Sequence, residues 1–325
     1  MIKFERTIPL IIRQLRSVRS RLPQSHPHYQ IICQDEKKRT LGHKGESAID
    51  FYLTDFADGD FYIYHGLRLP LNQAFFQIDT LILSDSACFI IEVKNLIGTI
   101  YFDPTFNQMI RTFNGKEEGF RDPIGQVTRQ KQLLSRWLAA QHFPPIPIDD
   151  MVTISNPETI LKTQPGNSAI SRKICHMHQI PDRIQAWKRA SVKKRLSAGE
   201  RERLNAQLIH AHCPLHQNVL ELYHIDAKEL ITGVQCPNCG AIPMTRVHAT
   251  WLCPSCGHRS KTAHYALLED YFLLIDETIS ITQFCEWTCI SSRKIAARLL
   301  KLLNLPHSGN NRNRRYHLLE KFNQE

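Results

Sequence analysis

The chain has 325 residues, 42% hydrophobic and 22% charged, enough for two or three domains with separate cores and too apolar for wholesale disorder. Its 41 Lys and Arg against 31 Asp and Glu leave a formal charge of +10, which favours a polyanionic partner such as nucleic acid over an acidic small molecule. No run approaches the roughly 18 apolar residues of a membrane span, and Arg13 and Arg16 interrupt IPLII before it can serve as a signal core. A cytoplasmic protein with reduced cysteines and no membrane partner is therefore expected.

Ile8, Ile11, Leu15, Val18 and Leu22 recur at helical spacing and Pro23 ends the stripe. Residues 1–40 thus read as a basic amphipathic helix and linker, either packed on a neighbouring domain or serving as a nucleic-acid arm. Residues 41–205 follow with an α/β pattern. GESAIDFYLTDF has helical spacing, and DFYIYHGLRL, FQIDTLILS and ACFIIEVKN read as three successive strands. DPIGQVTRQKQLLSRWLAA then opens with Asp and Pro at a helix N-terminus, and DMVTISN is a fourth strand. This order gives a mixed sheet flanked by helices. The basic stretch AWKRASVKKRLSAGER reads as a helix ending in solvent.

The third strand poses the chemical question. Side chains alternate along a strand, so Glu92 and Lys94 share a face with Ile90 and Cys88, while Phe89, Ile91 and Val93 share the other. Charges at the margin of a core need compensation, from each other, from a metal or from water. The short SDSA connection lays the Asp79 strand beside this one, so Asp79 and Glu92 can converge on a hard cation such as Mg²⁺, with the Val93 carbonyl as a third ligand. Lys94 would then orient or help deprotonate an attacking water. The competing reading is a plain Glu92–Lys94 ion pair at a strand end.

In order, GHKGESAID, FQIDTLIL, IIEVKN and DPIGQVTRQKQLL resemble the nuclease-related domain proteins, a bacterial branch of the PD-(D/E)XK phosphodiesterase superfamily, over roughly residues 40 to 160. The resemblance implies a restriction-endonuclease-like fold and a metal-dependent nuclease. Its active-site set would be Glu46, Asp79, Glu92, Lys94 and Gln126, with Mg²⁺ or Mn²⁺ as cofactor. Ile78 stands where the superfamily nominally has proline. Taken singly, Glu46 could be a first-turn acid complementing a helix dipole, and Gln126 a helix-surface residue followed by Gln130 and Gln132.

Residues 206–261 contain CPNC at 236–239 and CPSC at 253–256, two CxxC pairs thirteen residues apart, each followed by Gly. Cys236, Cys239, Cys253 and Cys256 form a structural Zn²⁺ set of the zinc-ribbon kind, with RVHATWLC as the crossing strand and too little core to fold without metal. Arg246, His248 and Trp251 are candidates for a binding surface. The CHMH and CPLH pairs around Cys175/His178 and Cys213/His216 match no metal spacing.

Residues 262–325 read as a winged helix-turn-helix: YALLEDYFLLI, then ITQFCEWT, a turn at Ile290, and a second helix capped by Ser291 or Ser292 with Ile295, Leu299 and Leu302 as its apolar stripe. Arg293, Lys294 and Arg298 would enter a groove, and Arg312, Arg314 and Arg315 would form a basic wing. The whole reads as a nuclease with separate nucleic-acid-binding modules, DNA favoured over RNA. A nuclease cutting both strands commonly works as a pair, which admits a homodimer. The rivals are a DNA-binding regulator that retains a nuclease fold without turnover, and an RNA-processing nuclease.

Overall fold

The computed structural model describes residues 1–56, 61–310 and 313–318. The chain divides into two compact units, Met1–Arg6 with Leu41–Leu215 and Thr7–Thr40 with His216–Glu325.

In chain order the first unit holds β1 (Ile2–Phe4), β2 (Tyr62–Leu71), β3 (Ala74–Leu83), β4 (Cys88–Lys94), β5 (Thr99–Asp103), β6 (Gln108–Phe113), β7 (Lys116–Arg121), β8 (Ile148–Ile154), β9 (Ile160–Thr163) and β10 (Ile174–His176). Its main sheet has the order β1-β2-β3-β4-β8-β10. β2, β3 and β4 are antiparallel, whereas β1/β2, β4/β8 and β8/β10 are parallel. The sheet is therefore mixed and flanked by helices, as the sequence pattern requires. Cys88 and Ile90 pack with Val127, Leu134, Trp137 and Leu138 of the Pro123–Ala140 helix. Phe89, Ile91 and Val93 pack on the other face with Ile49, Leu53, Ile184 and Trp187. Covering both faces explains why β4 is apolar at every position before Glu92.

Three features depart from the sequence reading. The segment before Gly42 is not a linker: one helix runs Tyr29–Ser47, and a short one follows at Ile49–Leu53. A second sheet, β7-β6-β5-β9, is absent from the sequence reading: its strands are four to six residues long and β7 is exposed throughout, so only Ile100 and Phe102 of β5 and Met109 of β6 are buried and no run is long enough to mark a strand. The basic stretch after Trp187 breaks after Ala190, and Ser197 opens a new helix, Ala198–Ala211, with a capping box closed by Glu200.

The second unit packs the Leu10–Arg21 helix with the His264–Leu274 helix around one core that also contains Trp251, Cys253, Phe284 and Leu299. The arginines of the N-terminal helix are engaged within that unit. Arg13 pairs with Glu269 at 2.8 Å, Arg16 and Arg19 meet Glu36 at 3.3 Å, and the fully buried Arg21 holds Asp270 at 2.7 Å. That is a packed helix and not a free basic arm. Among the described residues no helix is long and apolar enough to cross a membrane.

Candidate active site

At the carboxyl end of β4 the Glu92 carboxylate is 2% exposed. Lys94 Nζ donates to its Oε1 at 2.6 Å, Gln126 Nε2 donates to the same oxygen at 2.6 Å, and Gln130 Nε2 donates to Oε2 at 2.8 Å. Gln126 also accepts from Lys94 Nζ at 3.0 Å through Oε1. Gln126 and Gln130 lie one helical turn apart on the Pro123–Ala140 helix, which is why both reach one carboxylate. Asp122 caps that helix by accepting from Ile124 and Gly125. Gln126 is thus no idle surface residue, and Gln130, which the sequence suggests is one, is a buried partner of Glu92.

Asp79 lies on the adjacent strand β3, next to the Thr80↔Ile91 pair, and its Oδ2 accepts from the Val93 backbone N–H at 3.1 Å. Burial drives its carboxyl well above the usual carboxylate range, and the charges of Glu92 and then Glu46 push it the same way. Across from it on β2, Gly66 has φ +63° between the His65↔Thr80 and Leu67↔Ile78 pairs, and a Cβ there would meet nothing within 4 Å. Glu46 lies in the last turn of the Tyr29–Ser47 helix and not in a first turn, so the helix dipole opposes its charge. Burial raises its carboxyl, Arg6 opposes that rise, and Glu92 adds to it.

These acids fit a hard cation. Burying Asp79 and Glu46 where the Glu92 charge disfavours their ionisation is costly unless a cation intervenes. Glu92 accepts three bonds where a carboxylate offers about four sites, and buried Gln130 Oε1 has no hydrogen-bond partner. Asp79, Glu92 and the Val93 carbonyl are the groups that would hold the ion. The carboxylates are not drawn as tightly together as the cysteines described below: among the described residues, only Cys236, Cys239, Cys253 and Cys256 form a cluster whose ligand atoms all lie within 4.8 Å.

Residues 41–155 match the nuclease-related domain family. Every residue of the candidate set, Glu46 through Gln126, falls inside the matched segment. No curated protein matches the chain. A solved structure, protein VC1899 from Vibrio cholerae, is similar at 10% identity and a TM-score of 0.26, over 57% of this chain and 58% of that one, so the likeness spans little more than half of either protein.

The glycine before the acid of the nuclease-related domain has a packing reason. A Cβ on Gly45 would stand 2.4 Å from Asn95 Cβ and 2.9 Å from Ser155 Oγ, and Asn95 Nδ2 donates to the Leu41 carbonyl at 2.7 Å. The helix bearing Glu46 is thereby pressed against the residues that follow β4 and β8. Gly45→Ala is expected to cost about 1–3 kcal/mol in urea denaturation; wild-type stability would contradict this contact.

In the second unit the four cysteines bring Sγ atoms to 3.7 Å (Cys236–Cys256) and 3.5 Å (Cys239–Cys253), close to the ~3.8 Å edge of a tetrahedron with Zn–S near 2.3 Å. Gly240 (φ +74°) and Gly257 (φ +71°) supply the turns after each pair. The His258 N–H and the Asn238 amide draw the Cys256 thiol down to about 6, toward the thiolate a metal needs. The set is compatible with structural zinc. The crossing strand is a hairpin of β11 (Thr245–Val247) and β12 (Thr250–Leu252), with β13 (Arg259–Ser260) beside it. Trp251 is 1% exposed with Arg246 stacked on its ring, so it is core and not a binding surface.

The C-terminal part has helices Ile281–Thr288 and Arg293–Leu302, joined through Cys289 in the left-handed region and capped by Ser292. Strands β14 (Thr278–Ser280), β15 (His307–Ser308) and β16 (Arg315–His317) form a small sheet. The second helix buries Ala296, Leu299 and Leu300; of the stripe expected from sequence Leu299 is buried, whereas Ile295 and Leu302 are exposed. Arg293, Lys294 and Arg298 are exposed on this helix. Arg315 is exposed and donates to Thr278, Arg314 is half-buried, and Arg312 lies outside the described residues.

Proposed function

We propose that the chain is a divalent-cation-dependent nuclease that hydrolyses DNA phosphodiester bonds, with the helix-turn-helix as a DNA-holding element and the cysteine cluster as a structural zinc site. The observation that carries this reading is the buried Glu92 clamped by Lys94 Nζ at 2.6 Å, beside Asp79, whose proton affinity is raised by burial and by its acidic neighbours. A strand-end ion pair alone would need neither Asp79 nor two glutamines.

Asp79, Glu92 and the Val93 carbonyl would hold Mg²⁺ or Mn²⁺, which when bound polarises a phosphoryl oxygen and lowers the pKa of water. Gln126 and Gln130 keep the Glu92 carboxylate in one orientation. Lys94 Nζ, 28% exposed on its side chain, reaches the open side of the site. There it can orient a water by hydrogen bonding and offset charge gathering on the phosphate. Glu46 adds a third acid at the rim. DNA is favoured over RNA by the exposed Arg293, Lys294 and Arg298 on a helix able to enter a major groove. The test is cleavage of duplex DNA, single-stranded DNA and RNA by the full chain with Mg²⁺, Mn²⁺ or EDTA. Metal-dependent cleavage of DNA supports the reading, and cleavage confined to RNA would replace its substrate.

The acids also set a pH dependence. The folded pKa values of Asp79 and Glu46 lie above their ordinary values, so their contribution to stability is present at low pH and is lost as pH rises through the folded values. A cation that requires the carboxylates reverses that loss. Mg²⁺ is therefore expected to raise the melting temperature more at pH 8 than at pH 5, read by thermal unfolding with and without the ion. An equal effect at both would contradict this account.

A further inference from the structure

Arg6 lies outside the segment that matches the nuclease-related domain, yet it enters the site. The Met1 ammonium donates to the Phe61 carbonyl at 2.6 Å, and β1 pairs with β2 through Ile2↔Ile63 and Phe4↔Tyr64, which carries Arg6 to the acids. Its side chain is only 7% exposed. Nε lies 3.3 Å from Asp50 Oδ2, and Nη2 reaches Asp50 Oδ1 at 3.3 Å, His65 Nδ1 at 2.9 Å and Thr80 Oγ1 at 3.3 Å. The remaining arm, Nη1, meets Glu46 Oε2 at 3.4 Å.

A guanidinium is planar and permanently charged, so three anchors on one side fix the direction of the fourth contact. His65 is itself 2% exposed and directly opposite Thr80 on the neighbouring strand, so two of the three anchors belong to the sheet, and Asp50 stands on the Ile49–Leu53 helix. Asp50 sits one helical turn beyond Glu46 and takes the fork, which leaves Nη1 for Glu46 alone. The contact also explains how an acid is tolerated in the last turn of a helix.

We propose that Arg6 is a positioning residue of the nuclease site: held by Asp50, His65 and Thr80, it fixes the Glu46 carboxylate, so that the first six residues are part of the active unit. This rests on the nuclease reading above. The test uses the full chain, with cleavage kinetics and melting temperature measured for Arg6→Gln, Arg6→Lys, Glu46→Gln and the Arg6→Gln/Glu46→Gln double variant. Arg6→Gln is expected to lower kcat about 10–100-fold with KM for DNA unchanged, and to add little once Glu46 is already Gln. Arg6→Lys keeps the charge among the acids and so keeps the fold, but a compact ammonium lacks the planar fork that holds Asp50, His65 and Thr80 while aiming a separate N–H at Glu46. It should recover stability without full kcat, and it carries the test if Arg6→Gln unfolds. Wild-type kcat in both Arg6 variants, or an equal loss in the Glu46→Gln background, overturns this inference while leaving the nuclease reading intact. A wild type that cuts nothing in any metal overturns both.

Discussion

Glu92→Gln is expected to reduce metal-dependent cleavage to background while leaving the chain folded. The substitution keeps the shape of a side chain that is 2% exposed and removes its charge, the property that a hard cation and the Lys94 ammonium both require. One of the two oxygens becomes an amide N–H₂ facing Gln126, Gln130 or Lys94, all of which donate to Glu92 in the native site. The stability cost should stay near that of one unmet buried hydrogen bond, about 1–3 kcal/mol. Lys94→Ala is expected to lower the rate by about 10²–10⁴-fold, the range for a group that assists proton transfer. The measurement is single-turnover cleavage beside urea denaturation. A Glu92→Gln protein that still cuts at the wild-type rate would mean that the pair is structural.

The second large effect falls on the other unit. Cys253→Ser is expected to abolish zinc binding and to unfold the ribbon. The loss should extend further, because Cys253 and Trp251 belong to the same core as Leu267, Phe284 and Leu299, so the metal set and the helix-turn-helix share buried surface. Structural zinc contributes on the order of 10 kcal/mol in small cysteine sites, more than a domain usually has to spare. Bound zinc by elemental analysis should fall from one per chain to none, and the melting transition of the unit formed by Thr7–Thr40 with His216–Glu325 should drop or vanish. A variant that loses zinc and melts as wild type would show the ribbon to be dispensable to that core.

The legibility of this protein in its sequence follows from distance along the chain. The alternation in FIIEVKN is local, so the burial of Glu92 beside Lys94 and the two-faced packing of β4 are readable from seven residues. The CxxC pairs are readable for the same reason. Asp79 was legible from the short SDSA connection that lays its strand beside β4, whereas Glu46 and Gln126 became candidates only through a resemblance in the order of motifs, since nothing within any one stretch ties them to Glu92. Arg6 was not legible at all: a three-residue edge strand has no pattern, and its partners lie 40 to 74 residues away. Gln130 was hidden differently, because a glutamine on a polar helix face looks solvated until the helix's seat on the sheet is known. The β5–β7 hairpins escaped because their strands are only five or six residues long and β7, exposed throughout, has no apolar face to signal.

The most direct test of the central claim is conversion of supercoiled plasmid by the purified full chain in Mg²⁺, with Glu92→Gln and Lys94→Ala run beside it and DNA binding measured for all three by gel shift. Nicking by the wild type that EDTA stops, that Glu92→Gln abolishes and that Lys94→Ala slows at least about 100-fold, with binding unchanged, is the predicted result. DNA binding by all three proteins with no cleavage in Mg²⁺ or Mn²⁺ would contradict it.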